Sequence, residues 1–305
     1  AFEKKYPESP YLIDAHYLLA IDACQKGAEL INSSESPYRT AIEALDKVES
    51  SFETIYSQNK IPIDNLPHFC LVRYRACLEK ASILMKDAEI SSNDEIRIAS
   101  LKNCETILSS IRNEMTDPQH PKSRPLIGQK GYDHLQEESG FLLIKCLIKS
   151  GNEINAEKLI AQMLEKYQST KITRGYYLSR IWYEQGMLAR QRKEDLFALQ
   201  CFKHAEESCK GKILSSDELL DLWIQQSLCY QTIGKGDDAM LILSRIINYD
   251  AVSSLRLKAM FLRAEIYEHQ GRLELARKQL EAVAKKGGEW ASKAQSKLEE
   301  RYVYE

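Results

Sequence analysis

The chain has 305 residues, of which 44% are hydrophobic and 28% are charged, and its formal net charge is −2. This is the composition of a folded protein, and the small net charge excludes a general polyanion binder, because phosphate contacts need a surplus of Lys and Arg. No apolar run approaches the roughly 20 residues that a membrane helix requires. We therefore expect no nucleic-acid partner and no membrane insertion in this segment.

Apolar residues recur every three or four positions along the whole chain, which predicts helices throughout. Glycine and proline are few, and strand-type alternation is nearly absent. In chain order the predicted helices span residues 10–26, 36–57, 66–88, 93–114, 131–150, 153–167, 174–191, 195–209, 217–234, 236–248, 253–270, 273–286 and 289–303. The short connections between them predict that each helix packs antiparallel on its predecessor.

Capping residues agree with these boundaries. Ser92 with Glu95, and Ser215 with Glu218, have the spacing of a capping box at a helix start. Glycine stands where one helix stops and the next begins at positions 151, 234 and 271.

One connection is long, TDPQHPKSRPLIGQK at 116–130, and it contains three prolines and more basic than acidic residues. We interpret it as a surface loop, and a plain spacer is favoured over a peptide-docking or regulatory loop. It divides residues 1–115, which form divergent helical hairpins, from residues 131–305, which form better-matched repeats with a C-terminal cap. We expect one continuous solenoid.

Four later segments superimpose on one another: 140–163, 182–205, 223–246 and 260–283. Each carries an alanine in its second helix, followed four residues later by a bulky apolar residue: Ala156 and Ile160, Ala198 and Phe202, Ala239 and Leu243, Ala276 and Leu280. In the first helix a small residue, Gly186 or Ala264, allows the two helices to cross closely.

This register resembles the tetratricopeptide repeat (TPR), whose pattern runs W-x2-L-G-x2-Y and then A-x3-F. The resemblance covers about residues 140–286. The hairpin at 10–57, with Ala41, Leu45 and Val48, and the hairpin at 66–114 match it loosely. The last helix, with Trp290, Ala294 and Leu298, fits a capping helix or the start of another unit. The resemblance implies an all-α right-handed α-α superhelix of about six helical hairpins plus that cap.

No catalytic or cofactor motif is present. The six histidines are dispersed, and HExxH, GxSxG, the P-loop and GxGxxG are all absent from the sequence. The eight cysteines have neither metal-ligand nor Cys-x-x-Cys spacing, so we interpret most of them as small core residues. The sequence therefore predicts a protein that is not an enzyme and has no cofactor, metal or catalytic residue.

In a stacked array the first helix of each hairpin lines the inner face, which usually binds the partner. The predicted peptide-binding groove consists of Phe141, Leu142, Lys145, Arg180, Tyr183, Met187, Arg190, Ile224, Leu228, Phe261 and Leu262. Its lining is aliphatic and aromatic, with a basic entry near Arg180 and Arg190 and an acidic exit near Glu265 and Glu268. Such a groove favours an amphipathic helix or an extended apolar peptide. The Lys/Asn/Arg clamp with which some TPR proteins hold a terminal carboxylate is missing at the matching positions, which disfavours that class of adaptor.

The opening stretch, F-x3-YP-x-SPY-x3-A-x-Y-x-L-A, resembles repeat junctions of bacterial envelope TPR proteins. These include a lipoprotein that assists outer-membrane protein assembly and a cell-division coordinator of the Tol-Pal system. The resemblance implies a periplasmic or envelope scaffold, with the cytoplasm as the alternative, because unpaired thiols are uncommon in an oxidising compartment. Residues 2–6 read as the tail of a second helix, so we expect the chain to be a piece of a longer array.

The leading hypothesis from sequence is thus a non-enzymatic scaffold for a protein or peptide partner. The alternative is an accessory repeat domain of a larger regulatory or enzymatic protein. The oligomeric state is left open.

Overall fold

The structure, a computed structural model, describes residues 5–29, 38–173, 175–209, 214–249 and 254–302. These residues form thirteen α-helices and no β-strand, as the apolar period predicts. The helices are α1 (Leu12–Glu29), α2 (Arg39–Ser57), α3 (Leu66–Ile90), α4 (Asp94–Thr116), α5 (Tyr132–Lys149), α6 (Glu153–Ser169), α7 (Tyr176–Gln191), α8 (Asp195–Ser208), α9 (Ser216–Thr232), α10 (Gly236–Ile247), α11 (Ser254–His269), α12 (Leu273–Ala284) and α13 (Glu289–Tyr302). Most of the segment 2–6 lies outside the described residues.

Consecutive helices pair as six hairpins, from α1–α2 to α11–α12, and α13 follows as a single helix. In the third hairpin, α5 and α6 meet where Gly140 lies against Met163. This confirms the predicted number of hairpins within the described residues. Among the described helices, none is both long enough and apolar enough to cross a membrane.

The predicted glycine boundaries are confirmed by the backbone. Gly151, Gly234 and Gly271 have φ angles of 77°, 77° and 72°, in the left-handed region where a side chain is disfavoured. At each turn the glycine N–H donates to the carbonyl three residues earlier, and the next N–H donates to the carbonyl five residues earlier. This is the hydrogen-bond pattern that terminates a helix and satisfies its last carbonyls.

The turn between α7 and α8 has the same geometry without glycine. Lys193 adopts a φ of 63°. Its N–H donates to Arg190 at 2.9 Å, and the N–H of Glu194 donates to Ala189 at 2.9 Å. Lys193 lies five residues before Ala198, the spacing that places glycine in the other three units. A lysine therefore occupies a backbone position that strongly favours glycine.

The second helices of the hairpins each bury a small residue at the same position of the repeat. Ala156, Ala198, Ala239 and Ala276 are all fully buried. The two loosely matched hairpins have the same register, because Ala41 in α2 and Cys104 in α4 are also fully buried. A small residue at this position lets the first and second helices approach closely, so the repeat extends through all six hairpins, with a thiol in place of one alanine.

Gly186 in α7 marks one close approach between a first and a second helix. A Cβ atom added there would lie 2.6 Å from Cε1 of Phe202 in α8. Only glycine lets the Phe202 ring, which is fully buried, lie directly on the α7 backbone.

One of the two predicted capping boxes is confirmed. Ser215 accepts from the N–H of Glu218, whose carboxylate accepts in turn from the Ser215 N–H at 2.9 Å. The Ser92 prediction is wrong by one residue. The side chain of Asn93 caps α4 instead, because its oxygen accepts from the N–H of Glu95 at 2.9 Å.

The chain forms two compact units, Ala1–Met163 and Leu164–Glu305. In unit 1 the 116–130 segment is largely at the surface, as predicted, but it is anchored by Ser123 and Leu126, which are 0% and 1% exposed. Its Lys122 also pairs with Glu53 of α2 at 2.6 Å. The division of the chain at this segment stays a prediction.

A buried cation joins three helices of unit 1. Arg73 of α3 is only 4% exposed, and its guanidinium lies 3.1 Å from Glu53 of α2 and over the Phe52 ring, 5.6 Å from the centroid. Glu114 of α4 completes the cluster. Burying a charge costs several kcal/mol unless it is paired and hydrogen-bonded, so this cluster depends on all three helices being in place.

The cysteine prediction is confirmed. All eight thiols are free; seven of them are buried, and Cys24 is half-buried. Burial raises the pKa of Cys70 and of Cys77 to about 12. Such thiols are protonated and unreactive at neutral pH.

Candidate protein-binding face

The eleven residues predicted for the groove fall in both units. Phe141, Leu142 and Lys145 are on α5 of unit 1. The other eight are on the first helices of the hairpins of unit 2: Arg180, Tyr183, Met187 and Arg190 on α7, Ile224 and Leu228 on α9, Phe261 and Leu262 on α11.

Three of the eleven are core residues. Phe141, Ile224 and Leu262 are 4%, 0% and 8% exposed. Their side chains fill the space between neighbouring helices and leave no surface for a partner in this conformation. The other eight are half-buried. We use the term first-helix face for the six of these on unit 2: Arg180, Tyr183, Met187, Arg190, Leu228 and Phe261.

A polar network joins α7 to α9 across this face. The Tyr183 hydroxyl donates to Asp221, and the Gln225 amide donates to the other oxygen of the same carboxylate at 3.4 Å. Arg190 donates to Gln225 and lies 3.9 Å from Asp195. Burial and the neighbouring Asp221 carboxylate raise the pKa of Tyr183, which therefore stays a neutral donor.

Arg180 is also bound by residues of the protein itself. Its guanidinium pairs with Glu218 of α9 and lies over the Tyr176 ring, 3.9 Å from the centroid. Arg180 and Arg190, predicted as a basic entry to the groove, thus have partners on the protein itself. The residues that supply these partners were missed from sequence, because the periodicity of one helix says nothing about which residue of the next helix lies opposite.

Between these polar contacts the face is apolar. Met187 of α7 and Leu228 of α9 are half-buried and pack with one side on the core clusters of unit 2. Their other side stays accessible. A pair of flexible apolar side chains on adjacent helices is a typical anchor for an apolar partner.

The face ends in a cleft of 580 Å³ between α11 and α13. Phe261 packs on Trp290 with the ring centroids 5.5 Å apart. Lys297 lies 2.9 Å from Glu265 and 3.0 Å from Glu268. Burial lowers the pKa of Lys297, but the hydrogen bonds to the two glutamates outweigh this effect and raise it overall. Arg301 of α13 also lies 3.4 Å from Glu268, so α13 supplies two cations to the two glutamates of the predicted acidic exit.

In unit 1, Lys145 lies over the Phe141 ring, 5.9 Å from the centroid, beside half-buried Leu142. Among the described residues, no group of three or more His, Cys, Asp and Glu side chains is placed to hold a metal ion.

No protein-family model matches the chain, and no curated protein matches it with statistical significance. Solved structures do match. The crystal structure of nearly identical TPR-like repeats from a Podosopora anserina protein assigned as a kinesin light chain is 15% identical, with a TM-score of 0.52 over 69% of this chain and 93% of that chain. A second crystal structure of those repeats, from a variant with one substitution, is also 15% identical, with a TM-score of 0.53 over 73% of this chain and 97% of that chain.

These likenesses concern the fold. Together with the thirteen helices and the shared hairpin register, they confirm the TPR-like, all-α repeat architecture that the alanine and glycine spacing predicts.

Proposed function

We propose that this chain is a non-enzymatic scaffold that binds an amphipathic helix or an extended apolar peptide on the first-helix face of unit 2. The observation that carries the proposal is the accessible apolar pair of Met187 and Leu228, set between charged groups that are already paired within the protein. TPR-like folds typically serve as protein-interaction scaffolds.

The pairing of the charges defines the chemistry of the partner. Arg180 contacts Glu218, and Lys297 contacts Glu265, so neither cation is free to dominate recognition. Binding then draws most of its free energy from apolar burial at Met187 and Leu228, while rim charges influence orientation and association rate.

A phage-displayed library of random peptides tests this proposal, with the purified chain as bait. A selected peptide is then made synthetically and titrated by fluorescence polarisation. We expect Met187→Glu and Leu228→Glu each to weaken binding at least about tenfold, because a carboxylate in an apolar contact is desolvated without a partner.

The matched control is Leu241→Glu, which changes a 70% exposed leucine on α10, outside the face. The Leu241→Glu variant should bind the selected peptide with the same affinity as the wild type. If the selected peptides bind all three variants with equal affinity, the first-helix face is not their binding site. Thermal melts followed by circular dichroism establish that each variant is folded.

We further propose a role in the bacterial cell envelope, supported by the resemblance of the opening stretch to envelope TPR junctions. Eight free thiols favour a reducing compartment and make the cytoplasm the alternative. Fractionation of the source cells, with detection of the native protein by antibody, decides between the two compartments. Recovery in the cytoplasmic fraction alone would contradict the envelope role.

A further inference from the structure

A pair of buried thiols lies at the interface between α4 and α5 in unit 1. Cys104 of α4 and Cys146 of α5 are both fully buried. Cys104 occupies the repeat position that is alanine in the second helices of the other hairpins, α2, α6, α8, α10 and α12. Because an alanine there already allows close helix packing, the sulfur atom of Cys104 is an addition that the repeat itself does not require.

The surroundings of the two sulfur atoms bring them together. The Sγ atom of Cys146 lies 3.3 Å from the carbonyl oxygen of Leu101 in α4. Leu101 precedes Cys104 by three residues, which places it one turn back on the same face of α4. A helical side chain covers the turn that precedes it, so Cys104 extends towards the turn on which Cys146 packs. The two thiols are accordingly within hydrogen-bonding distance of each other.

This contact makes the two thiols chemically unequal. A hydrogen bond from Cys104 stabilises the thiolate of Cys146, which lowers the pKa of Cys146 although burial opposes the effect. The same hydrogen bond and burial raise the pKa of Cys104. Because the thiolate is the nucleophilic form, Cys146 is the attacking member of the pair and Cys104 the thiol that follows.

A second pair of buried cysteines in unit 2 lacks this arrangement. Cys201 of α8 and Cys229 of α9 are both fully buried. Burial raises the pKa of Cys201 to about 12 and that of Cys229 to about 11. Cys229 has a hydrogen bond to Asp195, so neither thiol of this pair is stabilised as a thiolate by the other. The pair in unit 2 therefore serves as an internal comparison.

We propose that Cys104 and Cys146 form a reversible disulfide that locks α4 to α5 under oxidising conditions, with a peroxide as the oxidant. A small oxidant is required because both sulfur atoms are buried. The Cys146 thiolate attacks one peroxide oxygen, the O–O bond breaks, and hydroxide leaves a sulfenic acid on Cys146. The sulfur of Cys104 then attacks the sulfur of Cys146, the S–O bond breaks, and the oxygen leaves as water with the Cys104 proton. Two thiols and one hydrogen peroxide thus give one disulfide and two waters, and the peroxide gains the two electrons that the sulfur atoms lose.

The disulfide has a defined place in the array. It joins the hairpin α3–α4 to the hairpin α5–α6, across the long connection at 116–130. A crosslink that closes a long loop lowers the entropy of the unfolded chain and so stabilises the folded one. Peroxide therefore restricts the opening of unit 1 between these two hairpins, and a reducing agent releases it.

Mass spectrometry of the full chain after brief treatment with hydrogen peroxide tests the proposal. The remaining thiols are alkylated in denaturant, and the chain is digested without reduction. We expect a crosslinked peptide that contains Cys104 and Cys146, and its loss on treatment with dithiothreitol. The crosslink should raise the melting temperature by about 4–8 °C.

Two variants provide the controls. Cys104→Ala introduces the residue that the other hairpins have at this position, so it should fold and show neither the crosslink nor the peroxide-dependent rise in melting temperature. Cys201→Ala, at another fully buried cysteine, should form the crosslink as the wild type does.

A wild-type chain in which Cys104 and Cys146 stay reduced overturns the proposal. A sulfenic acid that persists on Cys146 overturns it as well, because the sulfur of Cys104 is then out of reach. A crosslink between Cys201 and Cys229 in place of the expected one would show that contact between the thiols does not select the pair. A Cys104–Cys146 crosslink that leaves the melting temperature unchanged would contradict the lock.

Discussion

Arg73 of α3 binds Glu114 of α4 through two hydrogen bonds, of 2.6 and 3.1 Å, inside unit 1. The Tyr74 hydroxyl donates to the same carboxylate at 3.0 Å. The fork of the guanidinium matches the two carboxylate oxygens, which makes this contact stronger than a single ion pair. It fixes the hairpin α3–α4 against α2, because Glu53 holds the remaining side of Arg73.

Arg73→Ala should destabilise the protein by about 3–5 kcal/mol, because it leaves Glu114 partly buried without its cation. Urea denaturation followed by far-UV circular dichroism measures the loss. Arg39→Ala is the matched control, since Arg39 makes an exposed pair with Glu43 on α2 and should cost less than about 0.5 kcal/mol. Equal losses in the two variants would show that burial of the Arg73 pair contributes nothing.

Glu114 should make stability depend on pH in the acid range. Burial raises the pKa of its carboxyl group, but the hydrogen bonds from Arg73 and Tyr74 outweigh burial, so the pKa is lowered overall. A lowered folded-state pKa gives stability that is present above the unfolded-state value of about 4.3 and is lost as the pH falls through the folded-state value. Glu114→Gln should therefore be less stable than the wild type at pH 7, and the difference should shrink below about pH 4. A difference that stays constant with pH would contradict this assignment.

Lys193→Gly should stabilise the protein by about 0.5–1 kcal/mol. The φ of 63° costs lysine more than glycine, and this gain exceeds the extra unfolded-state entropy of glycine. The reciprocal variant, Gly234→Lys, places lysine at the equivalent turn with a φ of 77° and should destabilise the protein by about 1 kcal/mol. Thermal and urea unfolding of both variants measure the two changes in the free energy of unfolding. If both changes had the same sign, the two turns would not share one geometry.

Gly186→Ala should destabilise the protein by about 1–3 kcal/mol, because the new methyl group would lie 2.6 Å from the Phe202 ring. Combining it with Phe202→Leu should recover part of the loss, since the smaller side chain makes room. Gly236→Ala is the control: its added Cβ would meet its nearest atom at 3.8 Å, an ordinary contact. A double-mutant cycle for Gly186 and Phe202 with no coupling would show that the two residues are independent.

The helices and their turns could be predicted from sequence because the signals are local. Apolar periodicity and glycine at positions 151, 234 and 271 depend only on residues a few positions apart. The turn at Lys193 carried one usable signal, its place five residues before Ala198, but the lysine itself is atypical of such a turn. Sequence could not distinguish Asn93 from Ser92 as the cap of α4, because both are polar residues that can accept hydrogen bonds from the first backbone N–H groups of the helix.

The candidate first-helix face could be predicted only in part. Helix periodicity indicated which side of α7 and α9 faces away from the second helices, and it placed the half-buried residues Met187 and Leu228 on that side. It could not show that Ile224 is fully buried, since that depends on how tightly α9 and α11 pack. The bond between Tyr183 and Asp221 likewise depends on the angle between two helices, which no single-helix pattern contains.

The seven buried thiols are spread along the array: Cys70 and Cys77 on α3, Cys104 on α4, Cys146 on α5, Cys201 on α8, Cys209 directly after α8, and Cys229 on α9. A thiol-specific reagent can reach any of them only when its own hairpin opens. The labelling rate at each cysteine, read by peptide mass spectrometry, therefore measures the free energy of local opening at that point of the array. The wild-type chain needs no introduced cysteine for this experiment, and the rates rank the four hairpins that carry these thiols from the least to the most protected.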